Sequence, residues 1–189
     1  MIEEKVKNIK PLGKPSYGSI PHLPFSRLGP ADHYISDGQA KICTEKTRDK
    51  HDVVIVQEKL DGSNVGVAKI NGKVIAITRA GYLATDSPHL QHHYFDRYVK
   101  DNYKNFDLAL YEGERFCGEW LAMAHGTRYN LPHAPFVVFD LIKAGKSANG
   151  LNRAPYDEFK HRCESFGLVI PNLKASNSVS STVVIKYLF

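Results

Sequence analysis

The stretch that decides the fold is residues 58–64, Glu58-Lys59-Leu60-Asp61-Gly62-Ser63-Asn64. It follows an apolar run at 53–56 and precedes another β-prone segment. This pattern predicts a buried strand that ends just before Lys59, and Gly62 lets the backbone turn tightly. Lys59 is a candidate nucleophile, because partial burial or nearby cations favour the neutral amine that attacks. The alternative is a surface lysine beside an Asp-Gly turn.

The composition is that of an ordinary globular chain. Of its 189 residues, 42% are hydrophobic and 24% are charged, which predicts one domain, 1–189, with a core of its own. The net charge of +5 is compatible with a polyanionic partner. Three cysteines without Cys-x-x-Cys spacing favour a reduced, cytoplasmic protein over a disulfide framework or zinc site. No apolar run reaches membrane-spanning length, so we expect no membrane attachment.

Two segments have a biased composition. Residues 1–30 are rich in proline and glycine and predict an extended lead-in that lies over the domain. Residues 41–52 are densely charged. A solvated turn or helix face is one interpretation of these charges, and contact with a nucleic-acid backbone is the other.

The clearest local signal is a β-hairpin. The β-prone runs 65–70 and 73–78 are separated by Asn71-Gly72, the dipeptide most typical of a two-residue hairpin turn. The return strand brings Arg79 back to the end at which the first strand starts. With regular register, the pairing therefore predicts that Arg79 lies near Lys59.

Two helices are predicted downstream. Ser87 is a good N-terminal cap and Pro88 a good first helical residue, so the apolar spacing predicts a helix over 88–103. A second amphipathic helix is predicted over 156–166, and Gly167 is a natural C-terminal stop.

Two β-prone segments carry side chains that are unusual for a core. The segment 116–122 contains one charge, Glu119, which is costly in an apolar strand unless it has a partner. The partner is either a core arginine, or a ribose hydroxyl or metal. The segment 135–141 contains Phe139 and Asp140 near its end. Phe139 is either ordinary core or an aromatic ring that stacks on a base.

These segments together resemble, in order, the motifs of covalent nucleotidyltransferases, a superfamily that contains ATP-dependent DNA ligases, RNA ligases and mRNA capping enzymes. The matching segments are 58–64, Thr78-Arg79-Ala80-Gly81, Phe116-Cys117-Gly118-Glu119-Trp120 and Phe136-Val137-Val138-Phe139-Asp140-Leu141. Further segments are similar to bacterial and phage RNA ligases, namely 20–24, 118–122 and 124–129. The resemblance implies an α+β adenylation domain of twisted, mainly antiparallel sheets with flanking helices.

The resemblance also implies a reaction. Lys59 attacks the α-phosphate of ATP, releases pyrophosphate and holds AMP through a phosphoramidate bond. AMP then passes to the 5′-phosphate of a nucleic-acid strand, and a 3′-hydroxyl displaces it to seal the break. A divalent metal, normally Mg²⁺, is implied. The implied partner is nucleic acid, in particular RNA ends or nicks.

The residues of the site follow from the same resemblance. Glu58 borders the adenine pocket. Asn64 and Arg79 contact phosphates or the strand terminus. Glu119 binds the ribose or assists a metal, and Phe139 stacks on adenine. The residues expected to support this arrangement are Asp61, Gly62 and Asp140.

Two later motifs of the superfamily have no match in the sequence. One is a Glu-Gly followed by a strand, and the other is a pair of lysines near the α-phosphate. We predict that residues 178–189 form a helix that precedes these motifs, because Lys186 has no partner lysine. The expected domain is therefore C-terminally incomplete. It is an RNA ligase adenylation domain, a non-catalytic or partner-dependent nucleotide- or RNA-binding remnant that a second chain completes, or a DNA ligase or capping-enzyme core.

Overall fold

A computed structural model describes residues 10–30, 32–49, 51–124, 126–147 and 150–177. His125 and the helix predicted over 178–189, with Lys186, lie outside the described residues. The chain divides into two compact units. The first unit comprises Met1–Gly18 and Leu60–Pro171, and the second comprises Ser19–Lys59 and Asn172–Phe189.

The secondary structure consists of short helices and groups of consecutive strands. In chain order the elements are α1 (Asp37–Thr44), β1 (Val54–Gln57), β2 (Ser63–Ile70), β3 (Lys73–Thr78), a 3₁₀ turn (Ala84–Asp86), α2 (Leu90–Asp101), α3 (Tyr103–Ala109), β4 (Arg115–Trp120), β5 (Phe136–Ile142), α4 (Tyr156–Ser165) and β6 (Leu173–Asn177). No helix in the described part of the chain is long and apolar enough to cross a membrane.

The first unit is built on a four-stranded antiparallel sheet in the order β3-β2-β4-β5. The predicted hairpin is confirmed, with Ile70 paired to Lys73 across the turn. Asn71 and Gly72 have φ values of 52° and 69°. Both turn residues are therefore left-handed, as a type I′ turn requires.

One face of this sheet carries the main hydrophobic core. Residues directly opposite each other in an antiparallel pair point to the same face, and the apolar side chains of β2, β4 and β5 alternate towards the helices. Helices α2, α3 and α4 cover them with Phe95, Phe106 and Phe159, which are at most 3% exposed. The helical face is thus filled with aromatic and aliphatic side chains.

A β-bulge between β4 and β5 changes the other face. Cys117 pairs with Asp140, whereas its neighbour Gly118 pairs with Val138, so Phe139 is an extra residue on β5. A bulge of this kind re-aims side chains. Phe139 packs in a small second cluster and Asp140 bonds to a member of it, while Val138 on one side belongs to the main core. Two consecutive side chains of β5 therefore leave the helical face together.

The helix predicted over 88–103 is confirmed as α2, which is two residues shorter at each end. Helix α2 begins at Leu90 with His89 as its N-cap. Ser87 does not cap the helix, because its hydroxyl accepts a bond from the His89 N–H and contacts His92 Nδ1 at 2.6 Å. The chain also breaks after Asp101 and starts a separate helix, α3. The prediction for α4 is confirmed, with Gly167 at a φ of 63°.

The second unit contains α1 and a two-stranded sheet in which β1 pairs antiparallel with β6. All four residues of β1 are half-buried, so the expectation of a buried strand before Lys59 is wrong. An apolar run alone does not show how many partner strands or layers will cover it. The predicted lead-in, residues 1–30, is divided between the two units. Residues up to Gly18 belong to the first unit, and residues from Ser19 onwards belong to the second.

Gly118→Ala should destabilise the first unit, because the added Cβ would overlap the Val137 carbonyl oxygen and lie 2.6 Å from the Phe136 ring. The backbone at the bulge must shift to remove this overlap. We therefore expect the free energy of unfolding to fall by about 1–3 kcal/mol, and urea denaturation measures this change. Gly18→Ala is the matched control, because its Cβ would meet no atom within 4 Å. Equal stability of the two variants would contradict the close approach of β4 and β5.

Candidate functional site

Polar side chains form a row across one end of the four-stranded sheet, on the face away from the helices. Asn64 on β2 pairs directly with Glu119 on β4. Arg79 follows β3, and its N–H donates to the Asn64 carbonyl oxygen at 3.2 Å. The hairpin therefore returns Arg79 to the starting end of β2. Of the predicted site residues, the structure brings these three into one row.

Asn64 has an orphaned acceptor within this row. Its Nδ2 donates to Glu119 Oε1 over a long 3.4 Å. Its Oδ1 is buried and has no hydrogen-bond partner among the described residues. Buried polar atoms of native proteins nearly always have a partner, so an orphan requires an explanation. A hydroxyl donor or a cation bound beside Glu119 would satisfy it.

The Arg79 side chain is exposed but bonded. Its Nη2 donates to the Gly18 carbonyl oxygen at 3.2 Å. Its own carbonyl oxygen accepts the N–H groups of Ser16 and Tyr17 at 3.0 and 3.3 Å. The residues just before the unit boundary are therefore attached to the end of β3.

Asp140 lies in a polar cluster that the sequence did not predict. Tyr17 Oη donates to Asp140 Oδ2 at 2.9 Å, and Arg153 Nε donates to the same oxygen at 2.7 Å. Arg153 Nη2 also donates to Tyr17 Oη at 3.2 Å. Burial raises the pKa of Asp140, and the bonds from Arg153 and Tyr17 oppose that rise. Burial also raises the pKa of Tyr17 well above its usual value, so the hydroxyl stays protonated.

The Phe139 ring lies against this cluster. Its centroid is 5.1 Å from that of Tyr17, with the two rings at 72° in an edge-to-face arrangement. Phe139 is half-buried, and the cluster it joins contains Cys117 and Ile142. The side chain is thus held on the polar face of the sheet.

Arg115 is a buried cation on the same face, and the sequence analysis missed it. It is 2% exposed, and its Nε donates to the Ser16 carbonyl oxygen at 2.9 Å. Its Nη2 is buried without a hydrogen-bond partner among the described residues. Burial lowers the pKa of Arg115, and burial raises the pKa of the adjacent Cys117 thiol to about 12.

The turn after Lys59 is fixed by a tyrosine from the loop after β4. The Asp61 N–H donates to Tyr129 Oη at 2.8 Å. A Cβ on Gly62 would lie 2.7 Å from the Leu121 side chain and 2.8 Å from the Trp120 carbonyl oxygen. Gly62 is therefore required by close approach rather than by an unusual φ. The first unit holds both predicted turn residues in this way.

Glu58 and Lys59 belong to the second unit. The Glu58 N–H donates to the Asn172 carbonyl oxygen at 2.9 Å, and its Oε2 accepts Asn172 Nδ2 at 2.7 Å. The Lys59 side chain is exposed, so the partial burial expected for it is wrong. Lys59 is joined to the first unit by its peptide bond to Leu60.

Sequence reasoning could find some of these residues and not others. Glu119 and Asp140 stand out as charges in apolar strands. Tyr17 sits in a proline- and glycine-rich segment, and Arg153 follows a loop, so neither shows a pattern. Only the fold shows that Tyr17 meets Asp140, from which it is 123 residues distant in sequence.

Comparison with known proteins finds a matching family model and a relative of similar sequence. The RNA ligase family model matches residues 52–184, well over half of the chain. An uncharacterized protein of Methanocaldococcus jannaschii is 30% identical over 131 residues, which are 62% of this chain and 29% of that protein.

Two solved structures of RNA ligases are similar to this chain. An RNA ligase of Naegleria gruberi, determined with pyrophosphate, has a TM-score of 0.51 and 14% identity over 69% of this chain and 38% of that chain. An archaeal ATP-dependent RNA ligase has a TM-score of 0.49 and 24% identity over 67% of this chain and 32% of that chain. The chain spans about a third of the length of these relatives. The Naegleria structure confirms the predicted α+β fold of antiparallel strands and flanking helices.

Tyr129→Phe should loosen the turn at Asp61, because the variant keeps the ring and removes the acceptor of the Asp61 N–H. We expect a loss of about 1 kcal/mol locally, seen as roughly fivefold faster amide exchange in a peptide covering 60–64. Tyr111→Phe, at a side chain 67% exposed, is the control. Equal exchange in the two variants would rule out the bond.

The cysteines should differ sharply in reactivity. The thiolate is the reactive form, and burial raises the pKa of both Cys117 and Cys163 to about 12. At pH 8 these two thiols stay protonated and covered, whereas Cys43 is only half-buried. Ellman's reagent should therefore modify one thiol in native protein and all three after denaturation, and none in native Cys43→Ser. Rapid reaction of a second native thiol would contradict the burial of Cys117 or of Cys163.

Proposed function

The chain belongs to the RNA ligase family, and on that premise we propose that it acts as the adenylation domain of an ATP-dependent RNA ligase with Lys59 as the nucleophile. The observation that carries the proposal is the row of Arg79, Asn64 and Glu119 on the open face of the sheet, with an orphaned acceptor in its middle. In sequence, Lys59 lies only five residues before Asn64, a member of this row.

The proposed first step is phosphoryl transfer to nitrogen. The neutral Lys59 amine attacks the α-phosphorus of ATP, an N–P bond forms, the bond to the bridging oxygen of the β-phosphate breaks, and pyrophosphate leaves. The amine gives up its second proton to solvent. The positive charge of Arg79 favours the phosphates electrostatically.

The next two steps return the lysine and seal the strand. An oxygen of an RNA 5′-phosphate attacks the phosphorus of lysyl-AMP, the N–P bond breaks, and Lys59 is regenerated. A 3′-hydroxyl oxygen then attacks the activated 5′-phosphorus, and AMP leaves. These roles for RNA come from the family.

The residues of the row fit a nucleotide with its metal. Asn64 Oδ1 needs a donor or a cation, and Glu119 offers a carboxylate beside it. The described residues contain no group of three or more His, Cys, Asp or Glu side chains that could hold a metal. Mg²⁺ commonly binds through one or two carboxylates, with substrate phosphates and water completing its ligands. Glu119 would hold it here, and the ion would neutralise phosphate charge.

The base and sugar have candidate partners on the same face. Phe139 offers a half-buried aromatic ring for stacking on adenine. Asn64 Oδ1 and Glu119 offer acceptors to the ribose hydroxyls. Glu58 is proposed to border the adenine, and Asp61, Gly62 and Asp140 to support the site.

Incubation with ATP and Mg²⁺ should add one AMP to the protein, measured by intact mass after treatment with pyrophosphate to strip any AMP already attached. Lys59→Ala should abolish the gain completely, because the substitution removes the only atom to which AMP is proposed to bond. Lys73→Ala is the control, an exposed lysine at the hairpin. Fresh pyrophosphate should reverse the adduct.

Three other outcomes would contradict the proposal in whole or in part. An adduct that persists in Lys59→Ala would move the nucleophile elsewhere. ATP binding without any adduct in a folded sample would favour the partner-dependent binding protein, which needs a further segment or a second chain for the first step. No ATP binding would remove the proposed function.

A further inference from the structure

Three residues before the unit boundary, Ser16–Gly18, form a strap across the polar face of the first unit's sheet. Their backbone holds Arg79 from both sides: Ser16 and Tyr17 donate N–H groups to its carbonyl oxygen, and the Gly18 carbonyl oxygen accepts its guanidinium. Ser16 is 1% exposed and receives a bond from Arg115. Main-chain atoms of the strap thus bond to Arg79 at the end of β3 and to Arg115 on β4.

Tyr17 extends this attachment to a third strand, β5. It is 6% exposed, and its hydroxyl lies between Asp140 and Arg153 with one bond to each. The Arg153 guanidinium also lies 5.3 Å from the centroid of the Tyr17 ring. These contacts fix the position of the hydroxyl end of the ring.

The Tyr17 ring in turn meets Phe139 edge to face. Such pairs are directional, because the positive edge of one ring prefers the negative face of the other. The bulge at Cys117 and Gly118 sends Phe139 to this side of the sheet, and the Tyr17 contact then limits its rotation. Three residues proposed for the nucleotide site, Arg79, Phe139 and Asp140, therefore all contact Tyr17.

We propose that Tyr17 is a positioning residue that orients the Phe139 ring for the adenine base, and that the strap forms part of the nucleotide site. The proposal rests on the proposed function. Tyr17 affects binding of the base, because its side chain contacts Phe139 and Asp140. It does not affect binding of the phosphates, because it contacts Arg79 only through its backbone N–H, which any residue other than proline at position 17 would keep.

Tyr17→Leu tests the ring contact. It should weaken binding of ATP about tenfold, narrow the preference for ATP over GTP, and leave the affinity for tripolyphosphate, which has no base, within twofold of wild type. Titration calorimetry with Mg²⁺ measures all three. Tyr94→Leu is the control, because this tyrosine lies on α2, on the opposite side of the sheet, and is 49% exposed, so the variant should bind ATP within about twofold of wild type.

A wild-type measurement covers the case in which Tyr17→Leu does not fold. Amide exchange in a peptide covering 14–19 should slow when ATP binds and stay unchanged with saturating tripolyphosphate. Exchange that is equal in free and ATP-bound protein would overturn the proposal without any variant.

The remaining outcomes separate the inference from the function beneath it. ATP affinity that is unchanged in folded Tyr17→Leu overturns the inference alone. Equal loss of ATP and tripolyphosphate binding also overturns it, because that pattern shows a general disturbance of the site. Wild-type protein that binds no ATP at all removes the proposed function, and the inference falls with it.

Discussion

The close approach of β4 and β5 at Gly118 is the constraint on which the rest of the first unit depends. No side chain fits at this position, because the Val137 carbonyl oxygen and the Phe136 ring occupy its space. The adjacent bulge lets two successive residues of β5 face away from the helices. Without this irregularity, strict alternation would return Asp140 to the apolar core, where an unpaired carboxylate is expensive. The absence of a side chain at Gly118 thus allows the close strand pairing beside the bulge, and the bulge gives the sheet one apolar and one polar face.

The polar face is stable only because its charges are matched. Asp140 is 9% exposed and accepts bonds from a tyrosine and an arginine. A buried pair of this kind gives little net stability, but the loss of one partner leaves a costly charge behind. Arg115 is the less satisfied member, since one of its nitrogens has no bond among the described residues. Tyr17 and the backbone of Ser16 connect these groups into one network, so the site is held together by polar contacts.

Sequence patterns predicted the structure correctly where it depends on residues that are adjacent in sequence. Asn71-Gly72 specified the hairpin because its two residues adopt left-handed angles cheaply, and the hairpin fixed the place of Arg79. Ser87 misled because its hydroxyl bonds to the His89 N–H and to the His92 ring, and His89 is the N-cap of the helix. The apolar run of β1 did not show that it would be only half-covered. Tyr17, Arg115 and Arg153 could not be predicted, because their roles depend on partners that folding alone brings near.

The strap also has a consequence for the order of events in the molecule. The hairpin joins residues close in sequence, whereas the bond from Tyr17 to Asp140 spans 123 residues. Closing so long a loop has a larger entropic cost and comes after local contacts have formed. Releasing the strap breaks no pairing between the strands of the four-stranded sheet. The sheet is therefore a frame whose strand pairing does not require the strap, and we expect the contacts of the polar face to form after the hairpin.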